Sequence, residues 1–186
     1  MRTDNLVERA EVFARCAHAN QLRKYTNDLY TVHPEQMVGL LMQVHELGLV
    51  GQLTDQMIAA TWLHDTVEDT PATLEEIRED FGDEVADLVF WLTDTLTHTD
   101  GNRAFRKEAA RKRLAEAPME AQIIKAIDLM HNAGSIALHD PDFWKVFDKE
   151  AQELLAAMTK VPRLLRASAD VVFETCNFLS VDAQKK

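Results

Sequence analysis

Four titratable residues crowd the segment His64-Asp65-Thr66-Val67-Glu68-Asp69-Thr70, which directly follows an apolar stretch. On a continuous helix, His64 and Glu68 share one face and Asp65 and Asp69 another, because residues four apart lie one above the other. The segment offers one imidazole and three carboxylates, and it contains no Lys or Arg. Carboxylates at this density repel one another unless a bound cation compensates their charge. The segment therefore predicts one wall of a metal site.

Two residues elsewhere in the chain are candidates to complete that site. His33 precedes Pro34, which predicts an extended residue at a helix start, with a side chain that reaches a neighbouring helix. Asp128 lies in an apolar helical run, and a carboxylate on a buried helix needs a partner. Either residue alone would more often be a cap or a satisfied core group. Together with His64 and Asp65, they predict a metal centre with four ligands.

The chemistry of this ligand set favours hydrolysis. Two imidazoles with two carboxylates suit Mn, Fe, Ni or Zn better than Ca. Open coordination positions filled by water suit a hydrolytic reaction. Among the other histidines, His131 neighbours the predicted site in sequence, and we expect structural roles for His18, His45, His98 and His139.

The elements that position these residues are predicted to be helices. Apolar residues recur at helical spacing almost throughout, as in Leu6, Ala10 and Phe13, and strand-like alternation is nearly absent. The expected helices cover residues 4–22, 34–47, 55–68, 73–81, 83–96, 102–116, 119–138, 141–160 and 162–180. The pattern predicts an all-α bundle of about eight to nine helices.

Local signals mark several helix ends. Thr73 and Glu76 form a capping-box pattern, and Gly82 is expected to end the helix that they start. Asp83 is expected to cap the next helix, and Asp140-Pro141 predicts the start of another.

The composition excludes some classes of function. The 186 residues are 46% hydrophobic, which suffices for one core, and we expect a single domain over residues 1–186. A formal charge of −11 argues against binding to nucleic acid or to an anionic membrane, because both need an excess of Lys and Arg. The chain lacks a run of roughly 20 apolar residues, and its charged N-terminus lacks the apolar core of a signal peptide. Cys16 and Cys176 show no metal-type spacing, so we expect reduced thiols in a cytoplasmic protein.

The residues of the predicted site resemble a known family, the HD superfamily. Within it they are most similar to the hydrolase domain of RelA/SpoT-type alarmone enzymes and to the free-standing small alarmone hydrolases. Four segments match in order: Arg23-Lys24 with Tyr30-Thr31-Val32-His33-Pro34, then 63–70, 73–94 and 125–132. His-Asp alone is common, whereas His-Asp-x-x-Glu-Asp-Thr followed by a Thr-Leu-Glu-Glu-Ile…Phe-Gly helix is specific to this subgroup. Since 186 residues leave no room for synthetase and regulatory domains, we expect a free-standing hydrolase.

The resemblance implies a reaction, a metal and residue roles. The reaction is removal of the 3′-pyrophosphate from guanosine tetra- or pentaphosphate, with manganese as the usual metal bound by the four ligands named above. Glu68 and Asp69 would orient and activate the attacking water. Arg23 would lie against the purine ring, Lys24 would meet phosphate, and Asn132 would bond to the ribose or phosphate region.

The chain departs from the family pattern at two positions. The family usually has basic residues where Leu129 and Gly134 stand here. An alternative is therefore an HD phosphohydrolase acting on an adenine alarmone, a nucleoside monophosphate or a 3′-phosphorylated cofactor. A non-catalytic helical binding module is a further alternative, although the presence of both Glu68 and Asp69 argues against it. The sequence leaves the oligomeric state open.

One basic segment stands out in this acidic chain. Six Lys and Arg residues lie between Arg103 and Arg113 beside a single acid, Glu108. A solvated helix face is one interpretation. A pyrophosphate beside three carboxylates, however, needs positive charge beyond the metal, and this segment is a source of it. Lys107 and Arg111, four residues apart on one face, are the candidates for substrate binding.

Overall fold

Across the residues that the structure describes, the fold consists of helices. This computed structural model describes residues 5–183. The helices are α1 (Leu6–Ala17), α2 (Val32–Glu46), α3 (Asp55–Leu63), α4 (Thr66–Asp69), α5 (Leu74–Phe81), α6 (Asp83–Leu92), α7 (Arg103–Glu116), α8 (Met119–His139), α9 (Pro141–Ala157) and α10 (Arg163–Ala183). Within residues 5–183, nine helices have eight residues or more and α4 is a single turn. The expected all-α bundle is confirmed.

Helix α8 lies at the centre of the bundle. It packs against α2, α6, α9 and α10. Ile123, Ile124 and Ile127 of this helix are buried, and burial of each such side chain contributes about 1.5–3 kcal/mol. The same helix carries Asp128, so the packing of the core fixes the position of that carboxylate.

The helix ends around α5 follow the sequence signals. Thr73 Oγ1 accepts a hydrogen bond from Glu76 N at 3.2 Å, and Glu76 Oε2 accepts one from Thr73 N at 2.8 Å, so the capping box is present. Gly82 closes α5 with a φ of 88°, a conformation that favours glycine. The expectation that Asp83 caps α6 is wrong, because Gly82 occupies the cap position and Asp83 is the first helical residue.

The expected helix 55–68 is interrupted within the titratable segment. Helix α3 ends at Leu63, and the separate turn α4 begins at Thr66. His64 Nδ1 contacts the Thr61 carbonyl oxygen at 2.9 Å, and Thr66 Oγ1 donates to the Leu63 carbonyl oxygen at 2.7 Å. These side chains pair with carbonyl groups that backbone N–H groups would satisfy in a continuous helix. The break places the segment at a helix end.

Other helix limits differ from the expected ones by a few residues. The expected helix 4–22 ends at Ala17, and its first residue, Asp4, lies outside the described residues. Helix α6 ends at Leu92 because Thr93 is extended and its hydroxyl donates to a carbonyl group of the last turn at 2.8 Å.

A short hairpin, residues 21–30, connects α1 to α2. Leu22 and Leu29 form an antiparallel bridge, and Arg23 N donates a hydrogen bond across the turn at 2.8 Å. Asn27 lies in the turn with a φ of 59°, a left-handed conformation that Asn tolerates better than most residues. The hairpin brings polar side chains next to the start of α2.

Two further findings concern the described chain as a whole. In residues 5–183, no helix combines the length and the apolar character needed to cross a membrane. Cys16 is exposed, Cys176 is buried, and both thiols are free within the same residues.

Candidate metal-dependent active site

Three side chains converge where α2, α3 and α4 meet. His33 lies at the start of α2, His64 follows α3, and Asp65 immediately precedes α4. One ligand atom of each residue lies within 4.8 Å of the others. Asp65 Oδ2 is 2.8 Å from His64 Nε2 and 3.8 Å from His33 Nε2. The structure thus brings together three of the four expected metal ligands.

The backbone of His33 is helical, and the expectation of an extended residue is wrong. Helix α2 begins one residue earlier, at Val32. Pro34 is tolerated as the third helical residue because the N–H groups of a first turn have no partner within the helix. The position at a helix start, which the sequence did predict, brings the imidazole to the end of α3.

The two imidazoles direct unpaired nitrogens toward the site. His33 and His64 are buried, and the contact of His64 Nδ1 with the Thr61 carbonyl oxygen assigns the proton of the neutral ring to that nitrogen. Within residues 5–183, His33 Nε2 and His64 Nε2 have no hydrogen-bond partner, although Asp128 Oδ1 lies 3.3 Å from the first and Asp65 Oδ2 lies 2.8 Å from the second. Buried polar atoms are rarely left unpaired, and imidazole nitrogens held in this way are common metal ligands. The donor set fits a divalent transition metal.

The electrostatics of the cluster favour a positive charge beside Asp65. Burial lowers the pKa of His64, but the Asp65 carboxylate outweighs it and raises that pKa to about 9. Burial also lowers the pKa of His33 and brings the pKa of His131 down to about 4. Although burial opposes ionisation, His64 holds the pKa of Asp65 well below its ordinary value. The cluster therefore stabilises a cation at this point.

The fourth expected ligand, Asp128, lies on α8 beside His33 but outside the compact group of three. Its Oδ1 is 3.3 Å from His33 Nε2 and accepts a hydrogen bond from Asn132 Nδ2 at 2.7 Å. Its Oδ2 is 2.8 Å from Lys125 Nζ. Despite the opposing effect of burial, Lys125 and His33 hold the pKa of Asp128 well below its ordinary value. Asp128 is thus an ionised carboxylate at the edge of the cluster.

The two expected catalytic carboxylates lie on α4. Glu68 Oε2 accepts a hydrogen bond from Asp94 N at 2.9 Å, and Asp69 Oδ2 accepts one from Gln21 Nε2 at 2.9 Å. Partial burial raises the pKa of Glu68 above its ordinary value. A carboxylate with a raised pKa is a better proton acceptor near neutral pH.

A cavity of about 340 Å³, here called the main cavity, opens beside the cluster. Its lining includes the carboxylates of Asp65, Glu68 and Asp128 and apolar residues such as Leu129 and Phe147. The size of this cleft, which is lined by charged and apolar side chains, is typical of a small-molecule site.

The two cations expected to bind substrate line the main cavity but already have carboxylate partners. Lys107 Nζ lies 3.4 Å from Asp94 Oδ2. The Arg111 guanidinium contacts both Glu108 and Glu153. An anionic ligand that binds these cations would therefore compete with acidic side chains.

A second cavity of about 280 Å³, here called the side cavity, contains the other expected substrate residues. Arg23, Lys24 and Asn132 line it, and Asn132 also lines the main cavity. Arg23 Nη2 donates to Asn132 Oδ1 at 2.9 Å, whereas Lys24 is exposed, 3.6 Å from Asp140. The two cavities share Asn132, Ile136 and Phe143. Lys24 of the side cavity and Arg103 of α7 both lie over the Phe143 ring, 5.7 Å and 5.2 Å from its centroid.

Sequence reasoning gave no individual role to three residues that the structure places at the site. Tyr30 donates its hydroxyl to Asp65 Oδ2, Lys125 contacts Asp128, and Arg103 lines the main cavity. Lys125 lies one helical turn before Asp128, a spacing that indicates a pair. The contact between Tyr30 and Asp65 joins separate segments and has no such signal.

The comparison with protein families decides the family. A model of the HD domain matches residues 10–160. The chain belongs to the HD domain family.

Curated relatives of this HD-domain chain are much longer proteins. A probable GTP pyrophosphokinase of Mycobacterium leprae (strain TN) is 33% identical over 97% of this chain and 22% of its own length. A guanosine-3′,5′-bis(diphosphate) 3′-pyrophosphohydrolase of Aquifex aeolicus (strain VF5) is 32% identical over 82% of this chain and 21% of its own. A probable enzyme of the same description from Synechocystis sp. (strain ATCC 27184 / PCC 6803 / Kazusa) is 31% identical over 97% of this chain and 23% of its own length. The HD-domain chain spans about a fifth of the length of these relatives.

Two solved structures share the fold of this HD-domain chain. A metazoan ortholog of SpoT, described as hydrolysing ppGpp and playing a role in starvation responses, has a TM-score of 0.78 at 20% identity. The match covers 94% of this chain and 97% of that one. A protein of Listeria monocytogenes EGD-e has a TM-score of 0.62 at 21% identity, with 82% and 99% covered. These matches establish the fold.

Proposed function

We propose that this HD-domain protein removes the 3′-pyrophosphate from guanosine tetra- or pentaphosphate and releases pyrophosphate with GDP or GTP. The observation that carries the proposal is the pair of buried Nε2 atoms of His33 and His64, unpaired within residues 5–183, which lie near Asp65. Two pyrophosphohydrolase relatives, which align over 82% and 97% of the chain, support the choice of substrate. A cytoplasmic location is part of the same proposal.

Manganese is the proposed metal, and another divalent transition metal is compatible with the same ligands. His33, His64, Asp65 and Asp128 would hold it, because mixed imidazole and carboxylate ligands suit these ions. When bound, such an ion polarises a phosphoryl group and acidifies a water molecule.

Glu68 and Asp69 are the proposed groups that handle the attacking water. The Asp94 N–H fixes Glu68 Oε2, which leaves Oε1 to accept the proton of the water. Gln21 holds Asp69 in place to orient that water. The water oxygen bonds to the phosphorus attached to the 3′-oxygen, and the bond between this phosphorus and the 3′-oxygen breaks. The 3′-oxygen leaves with the nucleotide and takes up a proton, so the products are pyrophosphate, which carries the water oxygen, and GDP or GTP.

Positive charge for the phosphates would come from both cavities. In the main cavity, Lys107 and Arg111 would exchange their present carboxylate partners for the pyrophosphate. In the side cavity, Arg23 would lie against the purine, Lys24 would meet phosphate and Asn132 would bond to the ribose or phosphate region.

A second candidate function is hydrolysis of a nucleotide that carries fewer phosphates. The main cavity is lined by four basic residues and by seven acidic ones, namely Asp65, Glu68, Asp69, Asp94, Asp128, Glu150 and Glu153. One divalent ion does not offset this excess of acidic groups, so a highly charged substrate gains little from the cavity as a whole. Leu129 lines this cavity, at the position where the resemblance to the alarmone hydrolases implies a basic residue.

A hydrolysis screen with Mn²⁺ tests both candidates. Guanosine tetraphosphate, its adenine counterpart and nucleoside monophosphates are offered separately, and pyrophosphate and orthophosphate are measured independently. We expect pyrophosphate from guanosine tetraphosphate with the wild-type protein and none with His64→Ala. Release of orthophosphate from monophosphates, with no cleavage of the tetraphosphate, would refute the first proposal and support the second.

A further inference from the structure

Tyr30 connects hairpin 21–30 to a proposed metal ligand. Its hydroxyl donates to Asp65 Oδ2, the oxygen that lies 2.8 Å from His64 Nε2. The tyrosine is buried, and its ring packs edge-on against His33 with centroids 5.7 Å apart. Because packing fixes the Tyr30 ring, the Tyr30 hydroxyl can orient the Asp65 carboxylate, which is more exposed than the tyrosine.

Arg23 reaches a second carboxylate through an amide. Its Nη2 donates to Asn132 Oδ1 at 2.9 Å, and Asn132 Nδ2 donates to Asp128 Oδ1 at 2.7 Å. A guanidinium offers donors alone, so it must bind the oxygen of the amide. This choice turns the NH₂ group of Asn132 toward Asp128. Arg23 therefore determines how Asn132 presents a donor to the carboxylate.

Both connections start from one hydrogen-bonded unit. The Leu22–Leu29 bridge closes hairpin 21–30, and Tyr30 N donates to the Gln21 carbonyl oxygen at 2.8 Å. The Gln21 side chain in turn donates to Asp69 at 2.9 Å. One short hairpin thus contacts, directly or through Asn132, three carboxylates of the site.

We propose that Tyr30 and Arg23 are positioning residues that orient Asp65 and Asp128 for the divalent ion. The inference rests on the proposed function in one respect, since it needs a metal at the His33, His64 and Asp65 cluster. In this inference, Arg23 helps to orient Asp128 before a nucleotide binds, in addition to any contact with the purine.

Mn²⁺ affinity, measured by calorimetry on the full chain without nucleotide, tests the first connection. Tyr30→Phe keeps the ring and removes the hydroxyl. We expect Mn²⁺ to bind this variant roughly 10–100-fold more weakly, the usual cost of losing a group that orients a ligand. Tyr25→Phe is the matched control, because the Tyr25 hydroxyl lies in the same hairpin but donates to Asp140 at 3.0 Å. The control is expected to bind Mn²⁺ like the wild-type protein.

Arg23→Met and Lys24→Met form a second matched pair. Both remove one positive charge from adjacent positions, and loss of a nearby cation by itself favours binding of a metal cation. We expect Arg23→Met to bind Mn²⁺ about tenfold more weakly, because the Asn132 amide is released. Lys24→Met is expected to bind Mn²⁺ as the wild-type protein does, or more tightly.

The outcomes separate this inference from the proposed function. Unchanged or tighter Mn²⁺ binding in both Tyr30→Phe and Arg23→Met overturns the inference. If the wild-type protein binds no Mn²⁺, the metal centre and the proposed function both fail. If binding weakens in the two variants while the wild-type protein ignores 3′-pyrophosphorylated nucleotides, the inference stands and the substrate assignment is wrong. Should Tyr30→Phe fail to fold in EDTA, the Arg23→Met and Lys24→Met pair decides.

Discussion

Lys125 Nζ lies 2.8 Å from Asp128 Oδ2, one turn away on α8. The Asp128 side chain is 9% exposed and that of Lys125 is 23% exposed, so water screens the pair only partly. The Lys125 ammonium therefore compensates a carboxylate that lies close to two other ionisable groups of the site, His33 and Asp65. A bound metal ion and the Lys125 ammonium would both compensate the negative charge of the Asp128 carboxylate.

Lys125→Met should destabilise the metal-free protein by on the order of 3 kcal/mol, because it leaves the Asp128 carboxylate largely buried without a counter-charge. A metal ion replaces that charge, so Mn²⁺ should raise the melting temperature more in this variant than in the wild-type protein. Thermal melts with Mn²⁺ and with EDTA measure the difference. Lys112→Met is the control, since Lys112 forms an exposed ion pair with Glu108. An equal Mn²⁺ effect in all three proteins would contradict the prediction.

His64→Ala and Asp65→Ala should each abolish the binding of one divalent ion per chain. Metal analysis of the purified proteins measures this loss directly. The rise in melting temperature on adding Mn²⁺ should disappear with it, because an ion stabilises the folded state that binds it. His45→Ala is the control, since His45 is exposed and contacts the Gly51 carbonyl oxygen. Full metal occupancy in the His64 and Asp65 variants would rule out the cluster as a metal site.

Glu68→Gln and Asp69→Asn should retain the metal but lower kcat by ~10²-fold or more, the usual effect of losing a positioned acid or base. Steady-state kinetics combined with metal analysis distinguish the two effects. Glu75→Gln, in the first turn of α5, is the control. Turnover near the wild-type rate in both variants would mean that neither carboxylate handles the essential proton.

The pH dependence of kcat gives an independent check on Glu68. A proton acceptor must be ionised, so kcat should rise with pH through the pKa of Glu68, which burial raises above its ordinary value. The acidic limb of the profile should therefore lie at a higher pH than an exposed glutamate would give. Glu68→Gln should lack this limb. A limb that persists unchanged in the variant assigns it to another group.

Gly134→Ala should stabilise the protein by about 0.5–1 kcal/mol. Gly134 lies within α8, and an added Cβ would meet no atom within 4 Å among the described residues. Alanine restricts the unfolded chain and is the better helix former. Chemical denaturation measures the change. Gly82→Ala is the opposite control, because its φ of 88° should make alanine destabilising. A loss of stability in Gly134→Ala would show that the position does not tolerate a side chain.

The sequence predicted the parts of the structure that depend on local signals. The capping box of Thr73 and Glu76 can be predicted from the sequence, because its two residues lie only three positions apart and bond to each other. Apolar periodicity did not predict that α3 ends at Leu63. The helix ends there with side chains of His64 and Thr66 bonded to backbone carbonyl groups, and a periodic pattern carries no information on such bonds. Periodicity likewise predicted a first helix that runs to residue 22, whereas the structure has the start of hairpin 21–30 there, closed by the bridge between residues 22 and 29.

Contacts between distant segments account for most of what the sequence did not predict at the site. Residue types predicted His33, His64, Asp65 and Asp128 as one ligand set, and the structure brings the first three together in a compact group. Their partners follow from packing: Arg23 meets Asn132 across 109 positions of the chain. Arg111 meets a glutamate 42 positions away. Composition showed a basic segment but did not show which carboxylates neutralise it.

The distance along the chain between α2 and α8 has a consequence for folding kinetics. His33 meets α8 through His131, 98 positions later, so the full ligand set forms after a long loop closes. Early folding steps, which rely on local helix contacts, therefore proceed without the metal. A ligand whose binding residues come together only after the transition state for folding slows unfolding much more than it accelerates folding. Metal loading should consequently lengthen the lifetime of the folded protein while leaving its refolding rate nearly unchanged.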